Sequence, residues 1–156
     1  MNLYEILDSL KIGYKQVEHN AVFTIEESKK EDILSKIDGL GCKNLFLKDS
    51  RKRYYLVILQ EDKKVRINEV AKKIGATHMS FANETELMDL LGLISGSVSP
   101  FGIINDKDNI VTVVLDNELV EKKLLFHPNR NTATLSINYE DLIRFIEHQK
   151  HNYIVM

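Results

Sequence analysis

Tryptophan is absent from this chain, cysteine occurs once and proline twice. A lone cysteine, Cys42, excludes an internal disulfide framework and, with no signal-like leader, fits a cytoplasmic protein. Apolar runs reach only about five or six residues, against the ~20 that span a bilayer, so no membrane partner is expected. The GxGxxG, Walker, HExxH and CxxC patterns are missing as well, which removes the usual support for a nucleotide cofactor or a zinc site. No cofactor and no metal are expected. A net charge of −2 argues against indiscriminate coating of nucleic acid, and DNA is not an expected partner.

What remains is 156 residues, 44% hydrophobic and 28% charged, the size and balance of one globular domain. No repeat, low-complexity tract or Gly/Ser linker marks a boundary, so residues 1–156 read as a single domain. Charge is unevenly spread. Lys43 to Lys73 holds ten basic and four acidic residues, a local +6 that leaves −8 for the remainder. Such a segment is either a solvated face or a surface that steers a polyanion.

Leu3, Ile6, Leu7 and Leu10 recur at helical spacing and predict a short N-terminal helix closed near Gly13. Tyr14 to His19 reads as a strand. Thr24-Ile-Glu-Glu27 is a capping-box pattern, and a helix is expected from there to about Ile37. Cys42 to Asp49 and Arg53 to Gln60 read as a hairpin, followed by a helix over Ile67 to Ile74 that Gly75 ends. Asn83-Glu-Thr-Glu86 caps a helix through Leu91. Ile103 to Asn105 and Ile110 to Leu115 are expected to form a second hairpin. Leu124 to His127 and Thr132 to Ile137 are further strands, and Asn138 opens a last helix. Hairpins with interspersed helices, lacking a regular βαβ rhythm, predict an α+β domain whose mixed sheet is curled and surrounded by helices.

Both prolines sit in loops that carry chemistry-bearing residues. Ser95-Gly-Ser-Val-Ser-Pro100-Phe-Gly102 is built to bring backbone close to something: either it is a tight connection, or its amides converge on an anion or a developing oxyanion. In Phe126-His-Pro-Asn-Arg-Asn-Thr-Ala-Thr134, His127 is able to donate, accept or exchange a proton near neutrality, or simply satisfies a turn. Asn129 and Asn131 fit a role in tying that turn. Lys43, opening Lys-Asn-Leu-Phe-Leu47, is either a solvated strand-end lysine or a fixed cation at a pocket mouth. Cys42 beside it lacks a recognisable activating partner and reads as inert.

Val22-Phe-Thr-Ile-Glu26, Lys43-Asn-Leu-Phe-Leu47, Gly96-Ser-Val-Ser-Pro100-Phe-Gly102 and Phe126-His-Pro-Asn-Arg-Asn-Thr-Ala-Thr134, in that order, resemble the YbaK / prolyl-tRNA synthetase-associated domain family. Within it they are similar to the free-standing prolyl-tRNA editing proteins of the ProXp-ala (PrdX) type, over nearly the whole chain. The resemblance implies one aminoacyl-tRNA editing domain over 1–156, with a curled mixed sheet. It implies trans-editing, the hydrolysis of the ester joining a wrong amino acid, usually alanine, to proline tRNA. Lys43, Gly96 and His127 match the family's functional lysine, the first glycine of its GxxxP loop and its FHP histidine, and become the catalytic candidates. Asn44, Ser97, Val98, Ser99, Pro100, Phe101, Asn131 and Ala133 become substrate-side candidates, with Val98, Phe101 and Ala133 as walls of a pocket too small for proline. The implied partners are the acceptor end of tRNA(Pro) and the synthetase itself. Cysteine or serine on tRNA, or binding without catalysis, are the competing expectations. One departure is Asn20-Ala21, where many relatives carry proline ahead of the Val-Phe-Thr stretch.

Overall fold

The computed structural model describes all of residues 1–156. Eight strands make one mixed sheet: β1 (Lys15–Glu18), β2 (Leu40–Lys48), β3 (Tyr54–Gln60), β4 (Ser80–Phe81), β5 (Val111–Leu115), β6 (Lys123–Phe126), β7 (Ala133–Asn138) and β8 (Tyr153–Val155). Their spatial order is β1-β7-β6-β2-β3-β5-β8, with β4 paired to the end of β2. The six helices are α1 (Leu3–Ser9), α2 (Ile25–Lys30), α3 (Ile33–Lys36), α4 (Ile67–Ile74), α5 (Glu84–Leu91) and α6 (Tyr139–His148). The α+β class with a mixed sheet is therefore as the sequence predicts.

The central strand explains why the sheet needs cover on both faces. Tyr55 to Leu59 of β3 are five consecutive buried residues. Because side chains alternate across a strand, Leu56 and Ile58 enter the large core beneath α1, α5 and α6. Tyr55, Val57 and Leu59 enter a smaller core under α4. Each fully buried Leu or Ile is worth roughly 1.5–3 kcal/mol, so the alternating pattern anchors the strand from two sides. β2 joins the two halves of the sheet: Leu40 and Gly41 pair in parallel with β6, and Cys42 to Lys48 pair antiparallel with β3.

Two expectations are corrected. The helix anticipated from Thr24 to Ile37 is two short helices, because Asp32 takes a left-handed conformation (φ 54°) between α2 and α3. The second hairpin does not form. Ser99 accepts the Phe101 amide at 3.1 Å and Pro100 starts a 3-10 helix over Pro100–Asn105. The following turn is closed by the buried Asp106, which accepts the Val111 amide at 2.8 Å and lies 2.9 Å from His151 Nε2. β5 then runs parallel to β3 and to β8, a strand with no distinct signal in the sequence.

Candidate active site

A cleft of about 360 Å³ opens where four pieces of chain meet. These are the Val22–Ser28 entry to α2, the Cys42–Asn44 stretch of β2, the Phe81–Leu87 segment around the start of α5, and the Ser95–Val98 loop. His127, one residue past β6, completes it. A smaller chamber of about 60 Å³ shares Ser28, Cys42, Asn44, Glu61 and His127 with the cleft and runs back toward Ile33 and Leu125.

Lys43, Gly96 and His127 thus border one hollow, together with Asn44 and Val98. Lys43 is half-buried, and its ammonium donates to the carbonyl of Lys63. Lys63 is itself held by Asp116 at 2.6 Å and Glu118 at 3.1 Å. The Lys43 charge is therefore anchored at one hydrogen bond and has two further protons to offer. Asn44 sits beside it with a buried side-chain oxygen that finds no donor in the protein.

Gly96 adopts φ +91°, a region that L side chains rarely occupy, and the ring of Phe23 lies over it. A Cβ there would meet Phe23 Cδ1 at 2.8 Å. The Ser97 amide is spent on the Ile94 carbonyl, whereas those of Gly96, Val98 and Ser99 find no acceptor in the chain. A loop with three uncommitted N–H groups has the donor supply an oxyanion needs.

His127 is half-buried. Its Nδ1 is 2.9 Å from the Ala133 carbonyl, and its ring meets His19 edge-on at 6.1 Å. Burial holds its pKa below the ordinary 6.5, with the Ala133 carbonyl opposing and His19 reinforcing that shift. The ring is neutral at pH 7. Burial also pushes the Cys42 thiol up to about 12, so Cys42 is a small neutral wall and not a thiolate.

The remaining candidates lie behind this lining. Ser97 and Ser99 are buried, Ser99 and Pro100 starting the 3-10 helix, and Phe101 is wholly buried against Phe126 and Phe145. Ala133 is likewise buried and presents only its carbonyl to His127. Asn131 donates to the Val22 carbonyl at 3.0 Å, and Asn129 to that of Phe101 at 3.2 Å. These two asparagines tie the histidine loop to the other walls. The Asn20-Ala21 departure is fastened by Glu31, whose carboxylate accepts the Asn20 amide at 2.9 Å.

Among the lining residues that the sequence did not mark for the site are Phe23 as a side chain, Ser28, Glu61 and Phe81. Phe23 stood inside a quoted motif, but Glu61 looked like any turn residue and nothing local marks Phe81. The basic segment also changes meaning. Lys48 pairs with Glu86 at 2.9 Å and Lys63 with Asp116, both acids outside the segment, so part of the +6 is neutralised; Arg53 pairs with Asp49, already counted in it, at 2.8 Å.

The fold has solved counterparts. The hypothetical protein APE2540 superposes with a TM-score of 0.74 over 98% of this chain and 97% of that one, at 19% identity, which speaks for the fold alone. The aminoacyl-tRNA editing domain family matches residues 19–145. The prolyl-tRNA editing protein ProX of Acetoanaerobium sticklandii is 45% identical over 143 residues, covering 90% of this chain and 86% of that protein. A prolyl-tRNA synthetase associated domain-containing protein of Danio rerio is 35% identical over 157 residues, 99% of this chain and 84% of its own length. The chain belongs to the aminoacyl-tRNA editing domain family. As such it is an enzyme, an aminoacyl-tRNA deacylase acting on mischarged tRNA. No helix is long and apolar enough to cross a membrane.

Proposed function

We propose that residues 1–156 act as one trans-editing domain that hydrolyses alanine from mischarged proline tRNA in the cytoplasm, beside prolyl-tRNA synthetase. The observation that carries this reading is the small chamber opening off a cleft bordered by Lys43, Gly96 and His127. An activation site for proline cannot strongly reject a smaller side chain, so a second site that admits the smaller acyl group and excludes the ring is needed. On this reading the chamber takes the alanine methyl group and shuts out the pyrrolidine ring.

An aminoacyl ester is already activated, so positioning and charge stabilisation suffice. The terminal adenosine enters the cleft, where the exposed rings of Phe23 and Phe81 offer stacking faces to the last bases. Lys43 meets the terminal phosphate or adenosine, and Asn44 receives a donor from the ribose. The free amides of the Gly96–Ser99 loop hold the ester carbonyl. Water adds to that carbon, the carbonyl oxygen carries the negative charge, and the C–O bond to the ribose breaks. The ribose oxygen takes up the proton that water gave up, releasing alanine and uncharged tRNA. His127 accepts a hydrogen bond from the ribose hydroxyl and orients it for this exchange.

The test is deacylation of proline tRNA charged with alanine, serine, cysteine or proline. Accelerated loss of alanine with proline retained is expected. Preferential loss of cysteine or serine reassigns the substrate, and no acceleration with any of them leaves a binding module.

A further inference from the structure

Glu61 closes β3 and turns its side chain into the boundary between cleft and chamber, and it is the only carboxylate lining both. Its amide is fixed to the Gly41 carbonyl at 2.9 Å, yet its carboxylate accepts no hydrogen bond and forms no ion pair. The neighbouring Lys29 is paired with Asp62 instead, at 3.6 Å. Space for the carboxylate is reserved by Gly41, where a Cβ would lie 2.5 Å from both Glu61 Cδ and Oε2. Gly41 needs no unusual φ, so the missing side chain is what this position requires. Burial, with Asp62 adding to it and the nearby charge of Lys29 opposing, pushes the Glu61 pKa upward. A half-buried anion without a partner is unfavourable, and a cationic ligand relieves it.

The editing substrate carries one cation at its reacting end, the α-ammonium of the esterified amino acid; the RNA supplies only anions. We propose that Glu61 binds the α-ammonium of the acyl group, so that the site selects esters of free amino acids and directs their side chains into the chamber. This rests on the editing reading above and adds a recognition element to it. With Glu61 on the amine and the Gly96 loop on the carbonyl, two substituents of the α-carbon are fixed. The third heavy group, the side chain, then has one direction left. Peptidyl or N-acylated esters lose the charge and place an acyl group against the carboxylate.

The experiment compares a free-amine ligand with its N-acetylated form in two assays. One is binding of the non-hydrolysable 3′-alanylamido-3′-deoxyadenosine and its N-acetyl derivative; the other is single-turnover deacylation of alanyl- and N-acetylalanyl-tRNA. Wild type is expected to favour the free amine about tenfold to a hundredfold in both, the scale of a charged hydrogen bond. Glu61→Gln should bring that ratio close to one, by weakening the free amine and leaving the acetylated ligand within about threefold. Gly41→Ala, which displaces the carboxylate and not the backbone, should do the same. A wild type indifferent to acetylation, a Glu61→Gln variant that keeps the preference, or one that weakens both ligands equally would each overturn the assignment. Preferential binding of the free amine without hydrolysis of the alanyl ester upholds Glu61 and sinks the alanine-editing reading alone.

Discussion

His127 Nδ1 lies 2.9 Å from the Ala133 carbonyl oxygen, and because a carbonyl only accepts, that nitrogen carries the proton. The neutral ring therefore keeps Nε2 as a bare acceptor for the cleft. Burial holds the pKa below 6.5, so the neutral, active form predominates at neutrality. Deacylation should be flat above neutral pH and fall as acidification protonates Nε2, with an apparent pKa under 6.5. The stability sign is the same. The unfolded chain binds a proton on this histidine at higher pH than the folded one, so stability is lost as pH drops through and below ~6.5. His127→Gln should abolish the kinetic limb and reduce the slope of melting temperature below about pH 6.5. An unchanged rate profile in that variant would remove His127 from the chemistry.

Lys43 reaches the cleft with one proton committed to the Lys63 carbonyl. Lys43→Ala removes a charged contact worth roughly 1.5–3 kcal/mol, a loss of about tenfold to a hundredfold in kcat/KM. Its cost in stability should stay near ~1 kcal/mol, since the loss is a single hydrogen bond from a half-buried side chain. Single-turnover deacylation beside a urea melt separates the two. Wild-type rates would make Lys43 a solvated strand residue.

Gly96→Ala combines a strained φ of +91° with a Cβ 2.8 Å from Phe23. The strain is on the order of 1–2 kcal/mol, and the exposed Phe23 ring swings away at little further cost. The variant should fold, melt a few degrees lower and lose activity by about a hundredfold, as expected for misaligned oxyanion donors. Intact activity would show that the substrate does not approach the backbone here.

Acid stability should rest on two carboxylates outside the cleft floor. Burial alone would raise the pKa of Asp49, but the Arg53 amide and guanidinium and the Thr77 amide hold it down to about 2. The Asn83 amide, with Tyr54 and Lys48, holds Glu86 down to about 2 as well. Depressed carboxylates stabilise above their unfolded values of 3.8 and 4.5 and lose that contribution as pH falls toward 2. Asp49→Asn should cost about 2 kcal/mol at neutral pH and flatten the acid limb of a melting-temperature curve. An unchanged curve would place the acid transition elsewhere.

The helix of α4 was legible to the residue, because Gly75 at φ 73° supplies the left-handed stop that the pattern demanded. The Asn83 capping box was legible for the same reason, a reciprocal hydrogen bond encoded within four residues. The Thr24 box formed only in part. Its hydroxyl accepts the Glu27 amide, but the Glu27 carboxylate approaches the hydroxyl and not the backbone, and the helix stops at Lys30. β8 and the parallel seat of β5 were hidden, since they depend on which strand lies alongside and on the buried Asp106–His151 pair linking segments 45 residues apart. Phe101 and Ala133 stood inside the motifs and were expected as pocket walls, but they turn inward in space.

Four motif segments were enough to name the family of this chain by resemblance, and residue types at short spacing set its caps and turns. Distance across the chain decided the rest. Glu61 meets Gly41 and the chamber only because β2 and β3 pair in one register, and Phe23 covers Gly96 only because Asn131 holds the Val22 carbonyl. Contacts between residues tens of positions apart depend on packing both faces of a sheet, and no short window of sequence contains that information.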